Sequence, residues 1–596
     1  MTRNASLPAD TEAAVVNATP VQAAPAQLRP DATPAGDSAS KASIGRLKRA
    51  MAELKHQATG PILQQAIERV RADDWQAGGE LSIKALQIDE QNGVGWWVLA
   101  ICREKAGDVR SAITCYETAL KLLPDHAEIA NDLGRLAYQL GMKEVAEKLF
   151  AHFLLRYPGH PEGVNNLACA LRDQERFDEA VEALRPVIYA EPKVALLWNT
   201  LGTILNEQGE IAQSVTFYEE ALRLDPGFAK ARYNRSNARL ALGDAAGALE
   251  DLDAALPGAA AGAETSMMKL ARSTMLLCAG DIGGGWDAYE ERLEPTFADV
   301  THFLVERPRW APGDDLTGKS LAVIGEQGLG DEVMFANVLP DVIEALGDGG
   351  RLTIAVEHRL VELFQRSFPD ALVTQHATYR VDNHVLRAVP GVEDWEAIDA
   401  WTPIASLLRG YRRTLADFPR RPRFLAADPA RVDHWRDQLD KLGTGPKVGL
   451  LWKSLKLDAA RRRYFSPFEQ WKPVLESPGL IFVNLQYGDC DAEFDQARAA
   501  GHTLWQPPGI DLKNDLDDLA ALCCAMDLII GPANATTNIA AACGAPVWLI
   551  STPAAWPRLG TDRYPWYPQV RVFTPEAFNR WEGVMAEVGE ALDAAF

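Results

Sequence analysis

Two consecutive stretches of equal length decide the fold: GVGWWVLAICREKAGDVRSAITCYETALKLLPDH at 93–126 and AEIANDLGRLAYQLGMKEVAEKLFAHFLLRYPGH at 127–160. Laid one over the other, they match Leu99-Ala100 with Leu133-Gly134, Ala112 with Ala146, and Pro124 with Pro158. Working outward, the markers return as Leu167-Ala168, Ala180 and Pro192, then as Leu201-Gly202 and Pro226 with Ser214 in the small-residue place; Trp96 and Trp198 also share a position. The four prolines lie 34 residues apart. A small residue in the second half of each period lets neighbouring helices approach, and a proline at its end stops the helix, so each period predicts one helix–turn–helix unit.

That period and its markers belong to the tetratricopeptide repeat (TPR). Four repeats are clear (93–126, 127–160, 161–194 and 195–228), with degenerate units at 59–92 and 229–262, giving an α-helical TPR superhelix over 59–262 that is strongest at 93–228. A further helical pair is expected over Met267–Leu293, within a connector and linker at 263–317. Residues 1–45, dominated by Ala, Pro, Thr, Ser and Asp, have no periodic apolar pattern and are expected to form a disordered tail.

Beyond Glu294 the pattern changes. Pro308, Pro312 and Gly313 break the chain, and apolar runs then alternate with helical stretches. Strands are expected at Leu321–Ile324, Leu352–Val356, Lys447–Trp452, Leu480–Gln486, Leu528–Ile530, Val547–Ile550 and Val570–Phe573. Such alternation predicts parallel sheets, and a proline-rich break from Pro419 to Pro446 divides them into two Rossmann-like halves, 318–425 and 446–596, facing one cleft. Ligands of such sheets bind at the carboxyl ends of the strands.

Composition excludes several classes. The 596 residues leave room for three or four compact units; 47% are hydrophobic and 24% charged, ordinary globular usage. A formal charge of −22 argues against a general nucleic-acid binder. No apolar run is long enough for a membrane helix, and the first residues lack a secretory apolar core, so the expectation is a cytoplasmic protein without stable membrane insertion. The eight cysteines form no CxxC pair and no His spacing suggests zinc, so neither disulfides, a metal site nor a bound cofactor is expected. Asp489-Cys490-Asp491 has DxD spacing but sits in an acidic loop, and Cys523-Cys524 reads as core rather than nucleophile.

Three places carry candidate chemistry. Gly325 to Asp331 (GEQGLGD) lies between a strand and a helix: either Gly328 and Gly330 bring backbone close to a ligand beside Asp331, or this is a tight turn with Asp331 as a helix cap. Lys453, directly after a central strand, points toward the crevice, and Arg461, Arg462 and Arg463 follow, read as anion binders or as a solvated face. Asn534, Thr536, Thr537 and Asn538 open the helix after the strand at Leu528, suited to gripping phosphate or sugar, or to ordinary capping.

The stretch from Asp281 to Phe596 resembles the glycosyltransferase half of bacterial proteins that fuse tetratricopeptide repeats to a heptosyltransferase-like domain. The matching residues are GGGWDAYEERL (283–293), EQGLGDEVMFANVLP (326–340), VGLLWKS (448–454), the arginine triplet, Leu485-Gln486, CGAPVWLIS (543–551) and YPWYP (564–568). The resemblance implies an α/β GT-B glycosyltransferase of two Rossmann-like domains, metal-independent and inverting, with Asp331 as general base. Its donor site would hold Gly328, Gly330, Lys453, the triplet, Gln486, Asn534, Thr536, Thr537 and Asn538. Relatives of the heptosyltransferase type have an Asp-Thr pair and a His where this chain has Ala533, Asn534 and Asn538, which disfavours a heptose donor. NATTNIAAACG and STPAAWPRLGTD are similar to alphaproteobacterial flagellin glycosyltransferases of the FlmG type. That closer likeness implies transfer of a nonulosonic acid (pseudaminate or legionaminate) from its CMP nucleotide sugar to Ser/Thr of flagellin, a step needed for filament assembly and motility.

Asn131, Asn165 and Asn199 share one repeat position, with Asn166 and Asn234 adjoining; this resembles the asparagine ladder by which O-GlcNAc transferase holds peptides, and otherwise reads as a solvated face. The rival readings are a TPR scaffold with an inactive GT-B domain and a heptosyltransferase-like enzyme acting on a surface polysaccharide.

Overall fold

The computed structural model describes residues 38–297, 299–381, 384–454 and 459–596. The expected tail falls outside them up to residue 37, and its remainder does not stay irregular: a helix runs over Ser38–Arg71. Two compact units result, one ending at Thr200 and one starting at Leu201.

Twelve helices fill the described chain from Ser38 to Ala255, in antiparallel pairs at the predicted period. Helices over Val109–Leu122, Lys143–Arg156, Phe177–Ala190 and Ile211–Leu224 each end two residues before Pro124, Pro158, Pro192 or Pro226. Asp74, Asn92, Asp108 and Asp244 accept from backbone amides at helix starts. The small-residue positions are filled contacts: a Cβ on Gly134 would lie 2.7 Å from the Phe150 ring, and one on Gly202 2.8 Å from Tyr218. Ala112, Ala146 and Ala180 are fully buried, and the Ser214 hydroxyl, equally buried, donates to Ile211 O at 2.7 Å.

In the second unit the last repeats continue into helices over Ala263–Ala279 and Ile282–Tyr289. Asp281 caps the latter, and Trp286 from it is buried edge-on to Phe335, Trp556 and Trp566, its indole N–H donating to Arg412 O. Among the described residues thirteen strands follow: β1 (Thr301–Phe303), β2 (Ser320–Ile324), β3 (Arg351–Val356), β4 (Leu372–Gln375), β5 (Ala377–Val381), β6 (His384–Ala388), β7 (Ala400–Pro403), β8 (Lys447–Leu450), β9 (Ile481–Asn484), β10 (Leu504–Trp505), β11 (Leu528–Pro532), β12 (Val547–Ile550) and β13 (Arg571–Phe573).

They form a four-stranded parallel sheet of order β4-β3-β2-β7, a small mixed sheet β1-β6-β5, and a six-stranded parallel sheet of order β10-β9-β8-β11-β12-β13. Counted within its own half, the large sheet has the order 3-2-1-4-5-6 of a doubly wound fold. Alternation along β11 sends Ile529 to one apolar core with the helices over Leu516–Cys524 and Ala535–Ala542. Leu528 and Ile530 go to the opposite core with the C-terminal helix Trp581–Ala595. The stretch 419–446, expected as a break, contains a helix over Pro429–Asp440 capped by Asp428, whose Trp435 donates to Asp518.

Candidate functional site at the carboxyl ends of the two sheets

In a doubly wound sheet the order reverses beside the first strand, and loops leaving the two central strands part there to expose a crevice. In the large sheet this switch lies between β8 and β11. The loop after β8 carries Lys453, and the turn after β11 carries Asn534, which opens the helix Ala535–Ala542. In the four-stranded sheet the corresponding point lies between β2 and β7, and the turn after β2 is Gly325–Gly328. The two turns meet. A Cβ on Gly330 would lie 3.1 Å from Asn538 Nδ2 and 3.4 Å from Ala535 N, so a side chain there would crowd the start of the opposite helix.

Asp331 stands at this meeting point, half-buried, its carboxylate accepting from Gly328 N–H at 3.2 Å. Burial raises its pKa from 3.8 to about 6; the Gly328 amide works against the rise, and Glu332 and Glu326 add to it. Both tyrosines of the 564–568 motif lie close: Tyr567 donates to Asn538 Oδ1 at 3.0 Å, and the phenol pKa values of Tyr564 and Tyr567 are held high by burial and, further, by Asp331. Gln327, at φ +63°, is a non-glycine residue in the left-handed region at the tip of the turn.

The turn is braced from behind. Glu326 is 3% exposed and receives two parallel bonds from Arg292, at 2.9 and 2.7 Å, together with the amide of Ala405 after β7. Arg292 also reaches Ser406 Oγ and Tyr289 O. Burial opposes the Arg292 charge, yet Glu326 beside it raises its pKa overall. Arg387 of β6 donates to Gly325 O at 2.6 Å. The Glu332 carboxylate occupies the space a Gly325 side chain would need, accepts from Glu357 N–H, and lies 2.8 Å from His376 Nε2.

In the other half, Gln486 Oε1 accepts from the amides of both Trp452 and Lys453, at 3.0 and 2.9 Å, fixing the loop after β8 from β9. The Lys453 ammonium is paired with Glu493. Asn534 Oδ1 accepts from Thr537 N–H, whereas its buried Nδ2 has no hydrogen-bond partner among the described residues. Thr536 and Thr537 are buried, and the Thr537 hydroxyl donates to Pro532 O, so Thr537 serves the turn itself.

The structure therefore brings together Gly328, Gly330, Asp331, Asn534 and Asn538, with Lys453 at the neighbouring strand end. The arginine triplet divides differently. Arg461 and Arg462, both exposed, end a short helix, and Arg463 turns to the last repeats, donating to Asn206 O and lying over the Tyr464 and Phe578 rings. Residues 455–458 between Lys453 and the triplet lie outside the described residues. Sequence reasoning passed over Glu326, Arg292, Glu332, His376, Arg387, Glu493 and Tyr567. Glu326, Arg292, Glu332 and Tyr567 stood inside quoted motifs, which was the available signal.

The repeat asparagines are partly spent on one another. Asn166 Nδ2 donates to Asn131 Oδ1 at 3.3 Å, Asn165 Nδ2 to Asn166 Oδ1, and the Thr200 hydroxyl to Asn165 Oδ1. In the second unit Asn234 donates to Thr203 Oγ1. Asn165 and Asn199 are buried, while Asn131, Asn166 and Asn234 are half-buried.

Among the described residues no cluster of His, Cys, Asp and Glu could hold a metal ion, and no helix is long and apolar enough to cross a membrane.

Fold and site define a tetratricopeptide-repeat protein carrying two parallel α/β sheets whose carboxyl ends converge. Residues 99–161, 165–227 and 207–264 match the tetratricopeptide repeat family model. Over 558 residues the chain is 51% identical to Protein FlbA of Caulobacter vibrioides, covering 94% of each protein, and it belongs to the FlbA family. Among solved structures, a tetratricopeptide repeat protein from Parabacteroides merdae aligns at 15% identity and TM-score 0.35, over 39% of this chain and 92% of that one. PilW, a type IV pilus biogenesis factor, aligns at 22% and 0.31, over 33% and 91%.

Proposed function

We propose that the chain is a GT-B protein O-glycosyltransferase that moves a sugar from a nucleotide donor to a Ser or Thr hydroxyl of flagellin held by the repeats. The observation that carries this reading is the convergence of the two turns, which sets an aspartate of raised pKa against the helix that opens after β11. Transfer needs a base for the hydroxyl proton and donors for the departing phosphate. Asp331, ionised above about pH 6, supplies the first. Lys453, the Asn534 amide and the N-terminus of Ala535–Ala542 supply the second. The flagellin acceptor and the CMP-activated nonulosonate rest on the motif resemblance; the smaller charge beside Ala533 supports a carboxylate-bearing sugar.

The test is incubation of the purified chain with flagellin and CMP-, UDP-, ADP- or GDP-activated sugars, followed by mass measurement of the acceptor. A mass increase with the CMP-nonulosonate is expected, lowered about 10²- to 10⁴-fold by Asp331→Asn while CMP binding is kept. Tightest binding of UDP or ADP would overturn the donor, and an unmodified acceptor with every sugar would leave the repeats as a scaffold.

A further inference from the structure

The helix Ser38–Arg71 packs only through its C-terminal part, where Thr59, Leu63, Ala66 and Ile67 are buried. Towards its start, Ile44, Leu47, Met51 and Leu54 follow one another at intervals of three, four and three, and they are 53%, 62%, 52% and 66% exposed. These are a and d positions of two heptads, which place all four side chains along one narrow seam of the helix. Arg46, Lys48 and Arg49 are exposed beside it with Glu53, and Lys55 is paired with Asp89, so this helix start is basic in a chain of charge −22.

We propose that the seam from Ile44 to Leu54 docks an acidic amphipathic helix of a partner protein as a two-stranded coiled coil. Lys48, which is exposed, and Lys55, which a partner carboxylate would share with Asp89, fall at e positions, and Ser43, Ala50 and Gln57 at g. A second copy of this chain in parallel would set each lysine opposite an uncharged residue; antiparallel, it would set lysine against lysine. Residues 1–37 hold prolines at 8, 20, 25, 30 and 34, leaving no proline-free run beyond eleven residues to supply three helical turns and flanks. A membrane surface is disfavoured by the width of the apolar face, two positions in seven, and by the absence of Trp, Phe or Tyr between 43 and 57. A partner helix with Glu or Asp at its e and g positions satisfies both seam and charge.

The experiment titrates the full chain into a fluorescent 28-residue peptide with Leu at a and d and Glu at e and g, against the same peptide with Lys at e and g. Binding of the Glu peptide, weakened on the order of 30-fold by Leu47→Glu with Leu54→Glu and absent for the Lys peptide, is expected. Both leucines are exposed, so an unchanged melting curve is expected for the variant. A photo-crosslinker at Met51 in the native cell should then join a segment that peptide mapping shows to be an acidic amphipathic helix. Glu-peptide binding that is absent or insensitive to the double change overturns the proposal. So does a seam-dependent dimer, seam-dependent capture by phosphatidylglycerol vesicles, or a crosslink only to another copy.

Discussion

Replacing Asp331 with Asn should stabilise the second unit, and by an amount that depends on pH. The folded pKa, about 6, lies above the ordinary 3.8 because burial and the neighbouring Glu332 and Glu326 disfavour the charge. For an acid shifted upward the folded state binds more protons than the unfolded one between the two values, so stability falls as pH rises through that window. A shift of 2.2 units corresponds to about 3 kcal/mol of destabilisation at pH 8, about 1.6 kcal/mol at pH 5, and almost none below pH 3.5. Asn carries no charge and its side-chain oxygen can still accept from Gly328 N–H, so the variant sheds the penalty and keeps the cap. The unit from Leu201 to Phe596 has about 400 residues, and at about 2.1 cal/mol/K of unfolding entropy per residue the gain amounts to about 3–4 °C at pH 8 and about 2 °C at pH 5. Melting followed by tryptophan fluorescence is dominated by this unit, which holds twelve of the sixteen tryptophans, the buried Trp286, Trp452, Trp471 and Trp566 among them. A variant that melts below the parent at pH 8, or whose gain does not shrink towards pH 5, would refute the electrostatic account and leave Asp331 a plain helix cap.

Glu326→Gln leaves the buried Arg292 with Glu290 as its remaining carboxylate partner, and a loss of about 1.5–3 kcal/mol is expected in denaturant unfolding, largely recovered in Arg292→Met with Glu326→Met, where Glu290 keeps Arg309. Gly163→Ala places a Cβ 2.5 Å from the Phe153 ring and should cost the repeats about 1–3 kcal/mol in a circular-dichroism melt, whereas Gly107→Ala meets nothing within 4 Å and costs only its left-handed backbone, φ +78°. Glu493→Gln releases the Lys453 ammonium, so calorimetric binding of CMP should tighten several-fold, on the order of one charge-assisted bond, and the gain should vanish in Lys453→Ala. An unchanged affinity would mean that Lys453 does not face the donor phosphate.

How far the sequence could be read depended on whether a feature was local. The repeats were legible because proline, small-residue and aromatic markers recur within single helices. The seven expected strands appear; six of them are runs buried for most of their length on both faces, while β13 buries Phe573 alone and was legible from Val570, Val572 and Phe573. The six strands that were missed are of another kind: β5 is almost wholly exposed, β4 and β6 each bury one residue, β1 has three residues and β10 two, and β7 ends in Pro403, so none carries a long buried apolar run. Helix Pro429–Asp440 was hidden by the prolines around it, although Pro429 at its first position is compatible with a helix start. Asp331 was legible from a glycine turn after a buried strand. Arg292 and Glu326 were not, since two ordinary charges 34 residues apart carry no spacing rule. The asparagines illustrate the same limit: their recurrence is 34, but their bonds run 35 residues, Asn131 to Asn166 and Asn165 to Thr200, because each helix meets its neighbour one position further along.

The polar groups around the converging turns are nearly all committed before any ligand arrives. Glu326 ties the turn after β2 to the amide after β7, Gln486 ties the loop after β8 to β9, Tyr567 fixes the carbonyl end of the Asn538 amide, and Thr537 closes the turn after β11. Holding the Asn538 oxygen on Tyr567 leaves its NH₂ end directed at Gly330, beside Asp331. Among the described residues two donors remain available there: the buried Asn534 Nδ2, and the Lys453 ammonium once Glu493 is displaced. Both suit an acceptor-rich, anionic group, and Asp331, with its raised pKa, can take a proton near neutrality. Donors for an anion on the two loops of one half and a proton acceptor on the turn of the other, across a gap that Gly330 keeps narrow, are the division of labour that the proposed group transfer from a phosphate ester to a hydroxyl would demand.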